Sequence, residues 1–89
     1  MNNDKIYTKL YEKYGDEQII VAIEEFSELQ KELCKFLRNK LNMENLIEEI
    51  ADAEIMIEQI KLHFKIPQEN IDATKKEKLK RTVKRLLDE

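Results

Sequence analysis

Hydrophobic residues recur along this chain at steps of three and four, the spacing that brings side chains to one face of an α-helix. One such stripe comprises Ala22, Phe26, Leu29, Leu33 and Leu37. A second comprises Leu46, Ile50, Ala53, Ile57, Ile60 and Phe64. Looser versions precede and follow these two, and strand-like alternation does not persist anywhere. The pattern therefore predicts a chain that is helical almost throughout.

Breakers and caps divide the pattern into four helices. Gly15 followed by Asp16 predicts the end of one helix and the N-cap of the next, and Asn42 is a further N-cap candidate. Pro67 fits the first turn of a new helix. The helices are expected at about 3–14, 16–39, 43–65 and 68–88, with short connections. The sequence predicts one all-α domain over residues 1–89, an antiparallel bundle of about four helices.

Length and composition narrow the class of protein. At 89 residues the core is small, and such domains often enlarge it by oligomerisation. Hydrophobic residues make up 42% and charged residues 39%, a balance that argues against both a disordered chain and a membrane protein. The lone Cys34 excludes an internal disulfide, and no signal peptide is evident, so we expect a cytoplasmic protein. Phe26, Phe36 and Phe64 are expected in the core, and Cys34 is expected in the core or at its rim.

Charge is unevenly distributed. The net charge is −3, yet residues 75–85 contain seven basic residues and only one acidic residue. An acidic domain without a groove of interleaved basic and aromatic residues is not a typical nucleic-acid binder, and no apolar run is long enough to span a membrane. We therefore expect neither nucleic acid nor a membrane as a partner.

The most informative feature is a pair of acidic motifs, each at the edge of an apolar stripe. At about 100° per residue, Glu25 lies about 40° around the helix from Leu29, and Glu28 lies about 60° beyond Glu25. Glu49 and Asp52 repeat this arrangement on the next long helix. If the two stripes face each other, the four carboxylates converge.

Converging carboxylates repel one another, and burial adds a desolvation cost, so such a cluster is unfavourable without a cation. A ligand set of oxygens without His or Cys selects Mg²⁺, or Mn²⁺ in its place, over Zn²⁺. Glu32, one turn after Glu28, is a possible further member. The opposing interpretation is that these are ordinary solvated acidic residues, as we expect for Glu24, Glu48, Glu54 and Glu58.

The segments EEFSEL (residues 24–29) and EEIADAEIM (residues 48–56) together resemble the MazG-like branch of the all-α nucleoside triphosphate pyrophosphohydrolases. That family carries E-x-x-E and then E-x-x-D on neighbouring helices, and the resemblance covers roughly residues 16–65. It implies Mg²⁺-dependent hydrolysis of a nucleoside triphosphate to the monophosphate and pyrophosphate. Glu25, Glu28, Glu49 and Asp52 match the motif as metal ligands, with Glu25 or Glu28 as the proton acceptor. It also implies a homodimer or homotetramer.

The triphosphate also needs cationic partners. Lys78 and Arg81 share a face of the last helix, and Lys31 lies on the second, so all three are candidate phosphate contacts. The alternative is that this basic helix is solvated or neutralises its acidic neighbours. Packing is the expected role of the tyrosines of the first helix, although stacking on a base is possible. His63 is expected at an exposed helix end.

Three alternatives remain open at this stage. The first is a non-enzymatic helical interaction or regulatory module, because amphipathic helices are common to all bundles. A helical domain that binds nucleic acid through residues 75–85 is disfavoured by the net charge. A family member that binds nucleotide without hydrolysing it is disfavoured because all four motif carboxylates are present.

Overall fold

A computed structural model describes residues 1–88 and shows four α-helices. They are α1 (Asn3–Tyr14), α2 (Glu17–Leu37), α3 (Met43–His63) and α4 (Gln68–Asp88). No strand occurs within these 88 residues, which confirms the predicted all-helical class. Each predicted boundary lies within two residues of the observed one.

The helix ends follow the local chemistry of the sequence at most positions. Asn42 caps α3 by accepting a hydrogen bond from the backbone N–H of Asn45 at 3.2 Å, as expected. Gly15 ends α1 with a positive φ of 57°, a backbone conformation that favours glycine. Asp16 precedes α2 as predicted, but it is itself helical and its side chain makes no capping hydrogen bond. Asn39 ends the turn after α2 with a positive φ of 59°, a conformation that Asn tolerates well.

Helices α2 and α3 form an antiparallel hairpin that carries most of the tertiary packing. Near its open end the amide of Gln18 donates a hydrogen bond to Gln59 Oε1 at 3.0 Å, and both side chains are buried. Helix α1 lies against this end and runs parallel to α3. The Tyr7 hydroxyl donates to Glu58 at 2.7 Å, and Tyr11 stacks on His63 with ring centroids 4.0 Å apart. The buried tyrosines therefore attach α1 to the hairpin.

The core differs from the predicted one in which apolar residues it contains. The buried hydrophobic side chains are Tyr7, Tyr11, Ala22, Ala53 and Met56. Phe36 and Phe64 were expected in the core but are 59% and 58% exposed, and Cys34 is exposed as well. For Phe36 and Cys34 the reason is that α1 covers only the Gln18–Gln59 end of the hairpin, so much of each long helix has a neighbour on one side alone. Phe64 lies at the C-cap of α3, with its ring edge-on to His63.

Part of both predicted stripes consequently forms a surface. We call it the open apolar face and define it by Ile23, Phe26 and Leu33 of α2 together with Ile50, Ile57 and Phe64 of α3. Phe26 is half-buried, and the other five are between 42% and 62% exposed.

Helix α4 does not join the bundle, contrary to the expectation of four packed helices. None of the residues Gln68–Asp88 is buried, and the helix makes only marginal contact with the other three. The radius of gyration is 16.4 Å, whereas a compact chain of this length would have about 12 Å. The single chain is thus a three-helix unit with a projecting fourth helix.

Among residues 1–88, every helix is too short or too polar to cross a membrane.

The buried Gln18–Gln59 pair gives a direct test of the hairpin packing. Replacing Gln59 alone with Leu should lower the free energy of unfolding by about 1–3 kcal/mol, because it leaves the buried Gln18 amide without its acceptor. Replacing both with Leu should recover much of that loss, since no polar group is then stranded. Urea unfolding of the wild type, both single variants and the double variant measures this coupling. Strictly additive effects would show that the two amides do not depend on each other.

Candidate metal centre

Three of the four predicted carboxylates meet where the two long helices face each other. Glu25 of α2 and Glu49 and Asp52 of α3 each present a carboxylate oxygen, and these oxygens all lie within 4.8 Å of one another. All three residues are half-buried. The sequence prediction that the acidic pairs of α2 and α3 converge is confirmed for these three residues.

The position of the cluster follows from the way α2 and α3 pack. On α2, Gln18, Ala22 and Glu32 are buried, so Glu25, three residues after Ala22, lies on the face that contacts α3. On α3, Ala53 and Met56 are buried, and Glu49 and Asp52 lie one turn before them. The carboxylates are therefore not at the edge of the interface, as the stripes predicted, but within it. Ala22 and Ala53, the small residues buried on these two faces, leave room there for the longer acidic side chains.

Mutual repulsion and burial make this cluster electrostatically costly. The pKa of Glu25 is raised, chiefly by burial, then by a hydrogen bond with Asp52 that requires a shared proton and by the charges of Asp52, Glu49 and Glu28. Burial likewise raises the pKa of Glu49, followed by repulsion from Asp52, Glu28 and Glu32. Glu25 and Glu49 thus resist ionisation because they are partly buried and lie beside other carboxylates.

Two carboxylate oxygens at this interface lack a hydrogen-bond donor. Within residues 1–88, Oε2 of Glu49 and Oε2 of Glu32 are inaccessible to solvent and have no partner. The other oxygen of Glu32, Oε1, forms an ion pair with Lys35 Nζ at 3.0 Å. An unpaired buried carboxylate oxygen is costly, because water that would solvate it has been removed. Glu32 is thus buried, and its charge is one of those that raise the pKa of Glu49.

Glu28 has a different environment from the other motif residues. It is exposed and does not belong to the three converging carboxylates. Its charge nevertheless contributes to the raised pKa of both Glu25 and Glu49, which places it close by. A fully exposed carboxylate beside the cluster can rotate toward a bound ion or remain free to accept a proton.

The donor set fits a hard divalent cation. The contributing atoms are carboxylate oxygens, with no thiolate or imidazole among the clustered residues, which favours Mg²⁺ or Mn²⁺. A cation would compensate the repulsion between Glu25, Glu49 and Asp52 and would provide the missing partner for Glu49 Oε2. These two features, rather than the number of acidic residues, distinguish the cluster from an ordinary acidic surface.

The predicted phosphate contacts are not brought to the cluster within one chain. Lys31 is exposed on α2, about 120° around the helix from Glu25. Lys78 and Arg81 are exposed on α4, which does not pack against α2 or α3. The cation that the fold itself places beside the acidic residues is Lys35, through its ion pair with Glu32. The i, i+3 spacing of Glu32 and Lys35 is the sequence signal that indicates this pair.

His63 and the tyrosines lie away from the cluster. His63 is exposed at the end of α3 as expected, where it stacks on Tyr11. Burial raises the pKa of Tyr11, and the hydrogen bond to Glu58 is the main cause that raises the pKa of Tyr7 to about 12. Tyr7 and Tyr11 thus serve packing, whereas Tyr14 is 44% exposed.

Comparisons with protein-family models, with curated proteins and with solved structures find no match to this chain.

The electrostatic cost of the cluster predicts that removing a charge stabilises the metal-free protein. In the presence of a chelator at pH 7, Glu49→Gln should unfold at a temperature a few degrees above wild type. The raised pKa values mean that folding favours the protonated carboxyls. Their stabilising contribution is therefore present in acid and is lost as pH rises through the raised pKa values. The difference between the variant and wild type should accordingly shrink as pH falls from 7 toward the range in which carboxyl groups ordinarily titrate.

Glu54→Gln is the matched control, because Glu54 is exposed on the same helix and removes the same charge outside the cluster. Thermal unfolding followed by circular dichroism measures all three proteins. Equal midpoints for Glu49→Gln and Glu54→Gln at pH 7 would contradict the predicted repulsion.

Proposed function

We propose that the chain is a Mg²⁺-dependent nucleoside triphosphate pyrophosphohydrolase of the MazG-like type, with Mn²⁺ able to substitute. The observation that carries the proposal is the meeting of Glu25, Glu49 and Asp52 across two facing helices. These are three of the four positions that match the E-x-x-E and E-x-x-D motifs. Substrate would be a nucleoside triphosphate, and water would split it into the monophosphate and pyrophosphate.

Glu25, Glu49 and Asp52 would hold the metal, and Glu28 completes the motif from its exposed position. Bound Mg²⁺ supplies charge neutralisation for the triphosphate and lowers the pKa of water. Positioning and charge neutralisation account for most of the rate in phosphoryl and nucleotidyl transfer. The protein therefore needs few reacting groups of its own.

The proton of the attacking water needs an acceptor. Glu28 is the better of the two candidates, because Glu25 is engaged with Asp52 within the cluster whereas Glu28 is exposed beside it. Attack of the water oxygen on the α-phosphorus forms the new P–O bond. The bond from that phosphorus to the bridging oxygen breaks, and pyrophosphate leaves with the electron pair. Glu28 takes the proton of the water.

Lys78 and Arg81 enter this proposal under one condition. Because α4 of the same chain does not approach the carboxylates, these residues contact the phosphates only if another copy supplies them. A homodimer or homotetramer, as the resemblance implies, would make that possible. Lys31 would also need to be reoriented or supplied by another copy, whereas Lys35 is already beside the acidic residues.

A second candidate function is a non-enzymatic interaction or regulatory module. The projecting α4 and the open apolar face favour it, because both present apolar side chains for contact with a protein. This candidate requires no metal. Binding of Mg²⁺ and hydrolysis of nucleotide therefore separate the two candidates.

Metal binding should raise the stability of the wild type. At a hundredfold excess of Mg²⁺ over its dissociation constant, the free energy of unfolding should increase by about 2.7 kcal/mol. Glu49→Gln should show little or no increase, and Glu54→Gln should behave as wild type. Thermal unfolding with Mg²⁺, with Mn²⁺ and with chelator measures the effect. Identical melting curves under all three conditions would count against a metal site and favour the interaction module.

Activity is tested with a panel of nucleoside triphosphates, scoring release of pyrophosphate in the presence of Mg²⁺. Asp52→Asn should reduce kcat/KM at least about a hundredfold, since it removes a charged metal ligand. Glu54→Gln should retain wild-type activity. A wild type that binds Mg²⁺ but releases no pyrophosphate from any member of the panel would contradict the enzymatic assignment and leave the metal site standing.

The phosphate role of α4 has its own test. Replacing Lys78 and Arg81 together with Gln should raise KM for the triphosphate about tenfold, equivalent to about 1.4 kcal/mol of lost binding. Lys80→Gln with Lys84→Gln removes the same charge from another flank of α4 and is the control. An unchanged KM in the first double variant would show that Lys78 and Arg81 do not contact the substrate.

A further inference from the structure

Helix α4 carries an apolar line that nothing in its own chain covers. Leu79, Val83 and Leu86 recur at steps of four and three, so they lie on one side of the helix, with Leu87 at its margin. They are between 54% and 81% exposed. A solvated helix has no need of four large apolar side chains on one side, and this arrangement is typical of a helix that packs against a partner.

The open apolar face of the hairpin is similar in character. On α3, Ile50, Ile57 and Phe64 follow one another at intervals of seven, which places them on one line along the helix. On α2, Phe26 and Leu33 are also seven apart. On both helices, the apolar line lies beside the carboxylates in the same rotational sense, seen along the helix axis from the N-terminus. Because α2 and α3 are antiparallel and face each other, both lines fall on the same side of the hairpin.

The connection between α3 and α4 is an ordered turn. Lys65 adopts a positive φ of 56°, and the N–H of Ile66 donates to the carbonyl of Lys61 at 2.8 Å. The Lys61 side chain also hydrogen-bonds Gln68, at the first residue of α4. Beyond this turn, α4 makes only marginal contact with the other helices. The apolar line of α4 and the open apolar face are therefore both exposed within one chain, and a second copy can bring them together.

Charge supports that match. Helix α4 contains seven basic and four acidic residues, whereas α2 and α3 together contain eleven acidic and three basic residues. An acidic hairpin attracts a basic helix, and like helices repel one another. Electrostatic complementarity of this kind favours contact between α4 and the hairpin over pairing of α4 with α4 or of hairpin with hairpin.

We propose that the chain forms a two-fold symmetric dimer in which α4 of each copy packs across the open apolar face of the other. The two contacts are equivalent, so the assembly closes without exposing a further site. Each contact covers one apolar line of α4 with the lines of α2 and α3, and the basic flanks of α4 lie beside acidic side chains of the partner. The proposal makes no use of the metal or of catalysis.

The first test removes the apolar line of α4. Leu79→Gln with Val83→Gln, the helix variant, should weaken dimerisation at least about a hundredfold. Each substitution replaces an apolar side chain of the contact with a polar one, and it does so in both halves of the dimer. Glu77→Gln with Lys84→Gln changes two side chains on the other side of α4 without changing net charge, and it should remain a dimer. Sedimentation velocity over a range of concentrations measures the mass. Neither pair includes a buried residue, and circular dichroism checks helix content.

The second test removes the other half of the contact. Ile23→Gln with Ile57→Gln, the face variant, should also be monomeric, since both residues belong to the open apolar face and are about half exposed in the single chain. Mixing the helix variant with the face variant should restore a dimer held by one intact contact. The face variant supplies the intact α4 and the helix variant supplies the intact hairpin.

The outcomes separate the possible arrangements. A helix variant that stays dimeric would overturn the proposal in favour of hairpin-to-hairpin packing. A face variant that stays dimeric would overturn it in favour of α4 pairing with α4. Two monomeric variants that fail to form a dimer when mixed would also overturn it. A wild type that is monomeric and binds vesicles of anionic phospholipid through α4 would replace it with a membrane-surface role.

Discussion

Repulsion between carboxylates held together by helix packing is the constraint on which the centre of this molecule depends. Ala22 and Ala53 are buried where α2 packs against α3, and this packing brings Glu25, Glu49 and Asp52 into one small region. Packing energy therefore opposes electrostatic energy at the same interface. Either protonation or a bound cation relieves this repulsion. At neutral pH, protonating a carboxylate is the less favourable of the two. The metal hypothesis follows from this balance rather than from the abundance of glutamate.

The sequence predicted the secondary structure well because its signals are local. One Gly, one Pro and a few Asn residues mark most of the helix ends, and the apolar spacing of α2 and α3 is that of a helix. The convergence of Glu25 with Glu49 and Asp52 was also predictable, since it requires only that two neighbouring antiparallel helices face each other. The exposed position of Glu28 was not, because a rotation of α2 by a few tens of degrees decides it.

The interior could not be predicted from apolar spacing alone. The stripes that include Phe26, Leu33, Ile57 and Phe64 are the most regular in the sequence, yet the structure uses a neighbouring sector of each helix for the contact within one chain. That sector contains Gln18, Glu32 and Gln59, which a hydrophobic pattern assigns to the surface. A rule that scores each residue separately cannot detect side chains that pair with each other across an interface. The same limitation hid the separation of α4, whose direction depends on the turn at Lys65.

The buried amide pair has a consequence for alignment. Asp52 lies seven residues before Gln59 on α3, and Glu25 lies seven residues after Gln18 on α2, so both pairs belong to the same pairing of the two helices. Hydrophobic contacts tolerate a sliding displacement by one turn, whereas a hydrogen-bonded amide pair in an apolar surround does not. Gln18 and Gln59 thus fix the register of α2 against α3. A shift in register that broke their hydrogen bond would also move Glu25 away from Asp52. Two uncharged side chains, remote from any chemistry, decide whether the acidic ones can meet.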